Sequence, residues 1–239
     1  MWLLSNKVLV RDSGLLDDFR DCHCHLLPGV DDGVKDLQHT LQILDIWESL
    51  GVKEIWMTPH VMEEYPNEKA ALQEKYEEVK ANYGGEIKLH VAAEYMMDGL
   101  FTKRLEHEGL MTLGTSGKRL LVETSYFIPP INMEEIIEQV KKKGYEPVLA
   151  HPERYRYMDL KDYVLWKQKG VRLQLNVPSL VGAYGPEVQR KAEWMLEREM
   201  YDYCGTDTHS MNYVEYFLNS RISKKVVRKV QRVLAGQEL

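Results

Sequence analysis

The sequence predicts an α/β fold in which seven strand-then-helix units close into a single barrel, and three observations carry that expectation. Short apolar runs of strand length alternate with segments whose apolar residues recur at helical spacing; such alternation belongs to parallel sheets with right-handed crossovers. The units follow one another at intervals of roughly 34 residues, a usual size for a βαβ step. No Ser/Pro/Gly-rich linker divides them. The organisation expected is an N-terminal arm at 1–18, which shows no clear period, followed by one barrel domain at 19–239.

Taken in order, the first strand covers about 19–26, with Pro28 and Gly29 to end it and Asp31-Asp32-Gly33 to turn the chain back over that end. Leu37, Leu41 and Leu44 mark a helix over 35–50, capped by Gly51. Val52 to Thr58 is the second strand, ending at Pro59-His60, and Pro66 is expected to open the second helix, where Leu72, Tyr76, Val79 and Tyr83 share a face. Ile87 to Ala93 is the third strand, ending at Glu94, with a helix over 98–107. Arg119 to Val122 is the fourth, ending at Glu123; Met133, Ile136, Ile137 and Val140 form the apolar face of the helix behind it. Pro147 to Ala150 is the fifth, ending at His151, followed by a helix over 160–168. Val171 to Asn176 is the sixth, and Pro186 opens the next helix. Tyr201 to Gly205 is the seventh, ending at Asp207 and His209; a basic amphipathic helix over 222–234 closes the chain.

Composition narrows the function. A net charge of −6 argues against a general nucleic-acid binder, which needs a basic face. The opening Met1-Trp2-Leu3-Leu4 is interrupted too soon by Asn6 and Lys7 for a secretory signal, and no apolar run approaches the roughly 18 residues of a membrane span. Three cysteines, Cys22, Cys24 and Cys204, are an odd, low count that reads as reduced and cytoplasmic. Cys22 and Cys24 alternate with His23 and His25, so they are expected to face away from them as small core residues. A thiol-based phosphatase loop needs Arg six residues after its Cys; Pro28, Val30 and Ser210 stand there instead.

Six of the seven strands end in residues that bind metals: His23 and His25 with Asp32 in the following loop, then His60, Glu94, Glu123, His151, and Asp207 with His209. In a parallel barrel all these ends lie on one rim, where barrel enzymes place their chemistry. Several carboxylates in one cleft repel one another and resist desolvation unless cations are present. Nine such ligands exceed one tetrahedral site and suit two or three ions, with Mn, Fe or Zn favoured over Ca by the mixed His/Asp/Glu set. His39, His90 and His107 fall on helices or inside a strand and are not expected to join them.

His23-x-His25, Asp31-Asp32-Gly33, Thr58-Pro59-His60, Glu94, Glu123, His151 and Asp207-x-His209 together resemble the polymerase-and-histidinol-phosphatase (PHP) family. The stretches His23 to Gly33, Ala150-His151-Pro152-Glu153-Arg154-Tyr155 and Asn176-Val177-Pro178-Ser179-Leu180 resemble its bacterial protein-tyrosine phosphatase branch. The resemblance covers about 19–220 and implies a distorted (β/α)7 TIM-like barrel with three divalent metals, manganese first, then Fe, Zn, Co or Mg. It implies one metal on His23, His25, Glu94 and Asp207, a second on Glu94, Glu123 and His151, and a third on Asp32, His60 and His209. Arg154 matches the branch's phosphate-gripping position. A second arginine that many relatives carry soon after the last histidine is missing from Ser210-Met211-Asn212-Tyr213, and Arg221 is the nearest basic residue.

The resulting expectation is a metal-dependent phosphomonoesterase. A metal-bridging hydroxide would attack phosphorus directly, with no covalent phosphoenzyme. The expected partner is the phosphotyrosine-containing tail of a tyrosine kinase in capsular or exopolysaccharide biosynthesis, in the cytoplasm, with no nucleic acid and no membrane insertion; a homo-oligomer is admitted. The alternatives are a small-molecule phosphatase such as a histidinol-phosphatase, for which Glu63 and Glu64 would supply an anionic pocket, and a non-catalytic regulatory binding protein. Tyr65, Tyr95, Tyr126, Tyr155 and Tyr157 lie just beyond the ligands, where they would flank a phenyl ring or pack the barrel.

Overall fold

A computed structural model describes residues 7–106 and 109–239. His107 and residues 1–6 of the expected arm lie outside them. β1 (Lys7–Leu9) pairs antiparallel with the late strand β11 (Arg221–Ser223), and Val10, Leu15 and Leu16 behind it are buried. Then follow β2 (Arg20–Cys24), α1 (Leu37–Ser49), β3 (Glu54–Met57), β4 (His60–Val61), α2 (Lys69–Asn82), β5 (Lys88–Val91), β6 (Glu94–Met96), α3 (Phe101–Glu106), β7 (Arg119–Glu123) and α4 (Met133–Lys142). The second half holds β8 (Glu146–Ala150), α5 (Leu160–Gln168), β9 (Arg172–Asn176), α6 (Pro186–Glu197), β10 (Tyr203–Gly205), α7 (Met211–Asn219), β11 and α8 (Lys224–Gly236).

The parallel strands form a ring with two breaks. β2, β3 and β5 make one sheet; β4, β6, β7, β8, β9 and β10 make the other. β3 with β4, and β5 with β6, are each one barrel strand interrupted, at Pro59 and at Ala92-Ala93, so seven staves remain. Pro59 has no N–H to give the ladder, and pairing resumes where Glu94 N donates to Pro59 O at 3.0 Å. The ring closes between β10 and β2: Asp207 N donates to His23 O (2.7 Å) and His25 N to Thr208 O (2.9 Å). Beneath that seam the buried Asp21 carboxylate accepts from Thr206 N (2.9 Å) and Thr206 Oγ1 (2.5 Å). Gly205 permits the approach, because a Cβ there would meet His23 Cβ at 2.5 Å.

Cys22, Trp56, Ala92, Leu121, Val148, Ala150 and Tyr203, drawn from all round the ring, pack as one small cluster inside it. The larger apolar body lies between the staves and the helices. Four local expectations are corrected. Cys22 belongs to the inner cluster and Cys24 to the outer one, since a register shift between Asp21 and Cys24 breaks the strict alternation. α2 opens at Lys69 with Glu68 at its N-cap, three residues after Pro66. The second and third strands continue past Pro59 and Ala93, carrying His60 and Glu94 within β4 and β6. α7, which the apolar period alone does not announce, is started by Ser210, whose side chain accepts from Tyr213 N.

Candidate metal centre

Glu94, fully buried at the start of β6, is the hub. His23 Nε2 lies 3.1 Å from its Oε2, His25 Nε2 3.3 Å, and His60 Nδ1 3.2 Å; His151 Nε2 is 3.0 Å from Oε1. The Nε2 atoms of His23 and His25 are 3.1 Å apart. Asp207 Oδ1 stands 3.4 Å from His23 and 3.3 Å from His25. Glu123 Oε1 is 2.9 Å from His60 Nδ1 and its Oε2 3.8 Å from His151 Nε2. Asp32 Oδ1 lies 3.5 Å from both His60 Nε2 and His209 Nε2. All nine residues named from the sequence therefore gather in one cleft. The side chains of Asp32 (53% exposed) and His209 (28%) mark its mouth; the others are buried.

Their grouping differs from the partition the resemblance implied. Four sets bring donor atoms within 4.8 Å of one another: His25, Asp32, His60 and His209; His23, His25 and Asp207; His23, Glu94 and His151; His60, Glu94 and Glu123. His25 and His60 thus each reach two sets, and His151 leans toward Glu94 more than toward Glu123.

Groups not named as ligands from the sequence aim these rings. Asp31 Oδ2 accepts from His25 Nδ1 at 2.8 Å and from His60 N at 3.0 Å. Gln174 Oε1 accepts from His23 Nδ1 at 2.9 Å and from His151 N at 3.2 Å. His209 Nδ1 donates to Asp207 O at 2.8 Å. On His23, His25 and His209 the contact occupies Nδ1, fixes the ring and turns Nε2 toward the cleft, while His60 and His151 are held through their backbone N–H groups. Asp31 stands in the Asp-Asp-Gly turn, which is its sequence signal; Gln174, in mid-strand, has none. His151 (φ 33°) and Asp207 (φ 54°) hold left-handed backbone conformations, unusual for residues with a Cβ and a cost tolerated where side-chain placement matters.

The donor set fits divalent cations. Four buried atoms in the cleft, His60 Nδ1, Glu94 Oε2, Glu123 Oε1 and His151 Nδ1, have no hydrogen-bond partner among the described residues. Three of them crowd together without hydrogen-bond geometry, which is costly for polar groups away from water. Electrostatics agree. Burial opposes a charge on His23, yet the Glu94 and Asp207 carboxylates outweigh it and lift the imidazole to about 9. Burial also opposes a charge on Glu94, but His23 and His60 hold it well below the ordinary range, while burial and Glu94 together push Glu123 up. The carboxylates thus demand positive charge at this point, which bound cations would supply.

Beside the cleft, Arg154 Nη1 donates to Asp207 Oδ2 at 2.5 Å, and the guanidinium carbon stands over the rings of Tyr126 (4.4 Å) and Tyr184 (4.2 Å). It is not a surface partner of Glu153 or Asp159. Glu153 points the other way, fully buried, accepting from Asn176 N, Ser179 Oγ and Tyr201 Oη, and burial raises it to about 7. It pins the turn from which Arg154 rises. Arg221 lies away on β11, donating to Lys7 O, and supplies no second arginine. Of the five tyrosines, Tyr95 and Tyr155 are core residues and Tyr157 hydrogen-bonds Thr124; Tyr65, 6.2 Å from the His60 ring, and Tyr126 border the site. His39 pairs with Asp36, and His90 stacks on Trp56, both away from the cleft.

Comparison with known proteins places this geometry. Tyrosine-protein phosphatase YwqE of Bacillus subtilis (strain 168) is 29% identical over 197 residues, 80% of this chain and 77% of the relative. Tyrosine-protein phosphatase CpsB of Streptococcus pneumoniae is 26% identical over 212 residues, 80% and 83% of the two chains. A crystal structure from work on YwqE and CpsB, described there as unique metal-dependent tyrosine phosphatases, superimposes with a TM-score of 0.72 at 23% identity over 92% of this chain and 96% of the other, and so has the same fold. The family model for capsular polysaccharide synthesis, CpsB/CapC, matches residues 19–233. With nearly its whole length matched, this chain belongs to the CpsB/CapC family of capsular polysaccharide synthesis proteins.

Proposed function

We propose that this chain is a metal-dependent phosphomonoesterase acting on phosphotyrosine, its substrate the flexible tail of a bacterial tyrosine kinase in capsular or exopolysaccharide biosynthesis. The carrying observation is the Glu94 hub, one buried carboxylate touched by four imidazoles, with orphaned donor atoms around it and a flat guanidinium at its edge. Family membership and the activity named for the relatives support the substrate. His23, His25, Asp32, His60, Glu94, Glu123, His151, Asp207 and His209 hold two or three divalent ions, manganese first. Such ions supply Lewis acidity toward phosphoryl oxygens and acidify water near neutral pH.

The protein's own groups do the rest. Arg154, held over the rings of Tyr126 and Tyr184, presents its planar fork to phosphate oxygens. Asp31 and Gln174 keep the rings aimed. The buried walls exclude bulk water, which strengthens every charge interaction inside. Among the described residues, no side chain in the cleft is placed as a dedicated proton donor for the leaving oxygen. A phenolate, with a pKa near 10, leaves with less such help than an alkoxide. The recessed centre admits an extended tail and not a folded surface, and the enzyme works in the cytoplasm. No helix among the described residues is long and apolar enough to cross a membrane.

The deciding experiment measures metal content and kcat/KM together, on a tyrosine-phosphorylated peptide and on histidinol phosphate at equal metal loading. The expected result is more than one ion per chain and preference for the peptide. Preference for the alkyl ester by about tenfold, roughly 1.4 kcal/mol of discrimination, overturns the substrate; one ion or none overturns the centre.

A further inference from the structure

The three most exposed large apolar side chains among the described residues share one five-residue stretch: Phe127 at 61%, Ile128 at 71% and Ile131 at 88%. They belong to the loop 124–132 that leaves β7 directly after Glu123, so they stand on the rim that carries the cleft. The base of the loop is fixed. Tyr126 lies on the Arg154 guanidinium, with its ring centre 5.6 Å from that of His151. Arg156 N donates to Tyr126 O at 2.8 Å, and the Arg156 guanidinium covers one face of Phe127 at 4.8 Å. Beyond that base, Ile128-Pro129-Pro130-Ile131 carries no charge. The two prolines stiffen it and remove two of its four backbone N–H groups, so it is a poor template for a strand and presents mainly side chains. Apolar surface held out in water by a rigid base marks a contact made in advance of its ligand, with little ordering cost left at binding.

We propose that this loop is a specificity element that reads the residues flanking the phosphotyrosine, seating an apolar side chain one to three positions away on Ile128 and Ile131. The proposal rests on the phosphotyrosine reading above. An extended peptide advances about 3.3 Å per residue, so with its phosphate on Arg154 these neighbours pass over Tyr126 and onto the tip. Two other occupants fit less well. Three side chains offer about a few hundred Å² of apolar area, short of the roughly 800 Å² per partner that a lasting dimer covers. An anionic membrane surface would require a basic cluster beside the tip, whereas the loop itself has no basic residue, Arg156 lies over Phe127, and α4 begins with Glu134 and Glu135 in its first turn.

The test uses metal-loaded wild type and the Ile128→Asn/Ile131→Asn double variant, whose changes lie on exposed positions. Three substrates are compared: a phosphotyrosine peptide with Leu or Phe flanks, the same peptide with Gly and Ser flanks, and phenyl phosphate, which is too short to reach the tip. Wild type is expected to favour the apolar-flanked peptide about tenfold in kcat/KM, through KM. In the variant the ratio of kcat/KM on that peptide to kcat/KM on phenyl phosphate should fall by about the same factor. Wild type that cleaves both peptides equally, or a variant that keeps the preference, overturns the inference and leaves the phosphatase reading intact. Wild type that cleaves phenyl phosphate but neither peptide overturns both. A variant that differs from wild type only in oligomeric state assigns the tip to contact between copies and also overturns it.

Discussion

Replacing Arg154 with Ala removes a guanidinium whose only ion pair among the described residues is with Asp207. The turn beneath it is held separately by Glu153, so the loop should stay in place. Losing a charge-assisted pair to a phosphate oxygen costs about 1.5–3 kcal/mol, so the inhibition constant of inorganic phosphate is expected to rise roughly 10- to 150-fold, with metal content unchanged. Equal inhibition of variant and wild type would remove Arg154 from the phosphate site. At this scale much of the cleft was legible in the sequence. The residues proposed as ligands sit at strand ends, and a strand end is a position that period and punctuation locate. Gln174 was not legible, because its work consists of touching groups contributed by other strands, whereas Asp31 was marked by the Asp-Asp-Gly turn but its hold on His25 and His60 was not.

At the scale of elements, the seam between β2 and β10 is a close fit. Gly205→Ala sets a methyl group against His23 Cβ, and the nearest other atoms are Gln174 Nε2 at 2.9 Å and His23 N at 3.0 Å. None of these can retreat without moving a strand or an aimed ring. Overpacking of this kind costs about 1–3 kcal/mol, so Tm should fall by roughly 2–12 °C, with metal affinity falling alongside it. An unchanged Tm would show the seam to be looser than its distances. Strand breaks at Pro59 and Ala92-Ala93 escaped the sequence reading because each stave keeps one apolar run while changing its pairing partner. α7 escaped because Tyr213, Val214, Tyr216 and Phe217 are weak helix formers, and the helix is made by its Ser210 cap and by packing of Val214, Phe217 and Leu218.

For the whole molecule, the cleft concentrates Asp31, Asp32, Glu94, Glu123 and Asp207 in a protein already at net charge −6. Chelation leaves that charge to be balanced by imidazolium. His23 illustrates the sign: burial opposes its proton, but Glu94 and Asp207 hold it to about 9 against an ordinary 6.5. Its contribution to stability is therefore complete below about pH 6.5 and is lost as pH rises through 9. A shift of this size corresponds to on the order of 3 kcal/mol. Metal-stripped protein is expected to lose denaturant resistance across that window, while metal-loaded protein, stabilised by ions that bind only the folded state, changes much less. Parallel curves for the two forms would mean that cations are not what balances the cleft. The ring itself was legible, since seven alternating units leave few arrangements for a parallel sheet.

The closing seam also sets a schedule. Asp21 and Thr206, hydrogen-bonded across it, are 185 positions apart, and the cleft takes side chains from the first stave, the last and most of those between. While the chain is being made, His23 and His25 emerge early and wait for Asp207 and His209, which at about 5–20 residues per second arrive roughly ten to forty seconds later. Contacts of such long range form slowly. A growing chain therefore offers an ion only fragments of a site. With these residues as ligands, metal uptake becomes a late event that follows the emergence of Asp207 and His209, and a cell short of the right ion would accumulate closed barrels awaiting it, without partly made ones drawing on the supply.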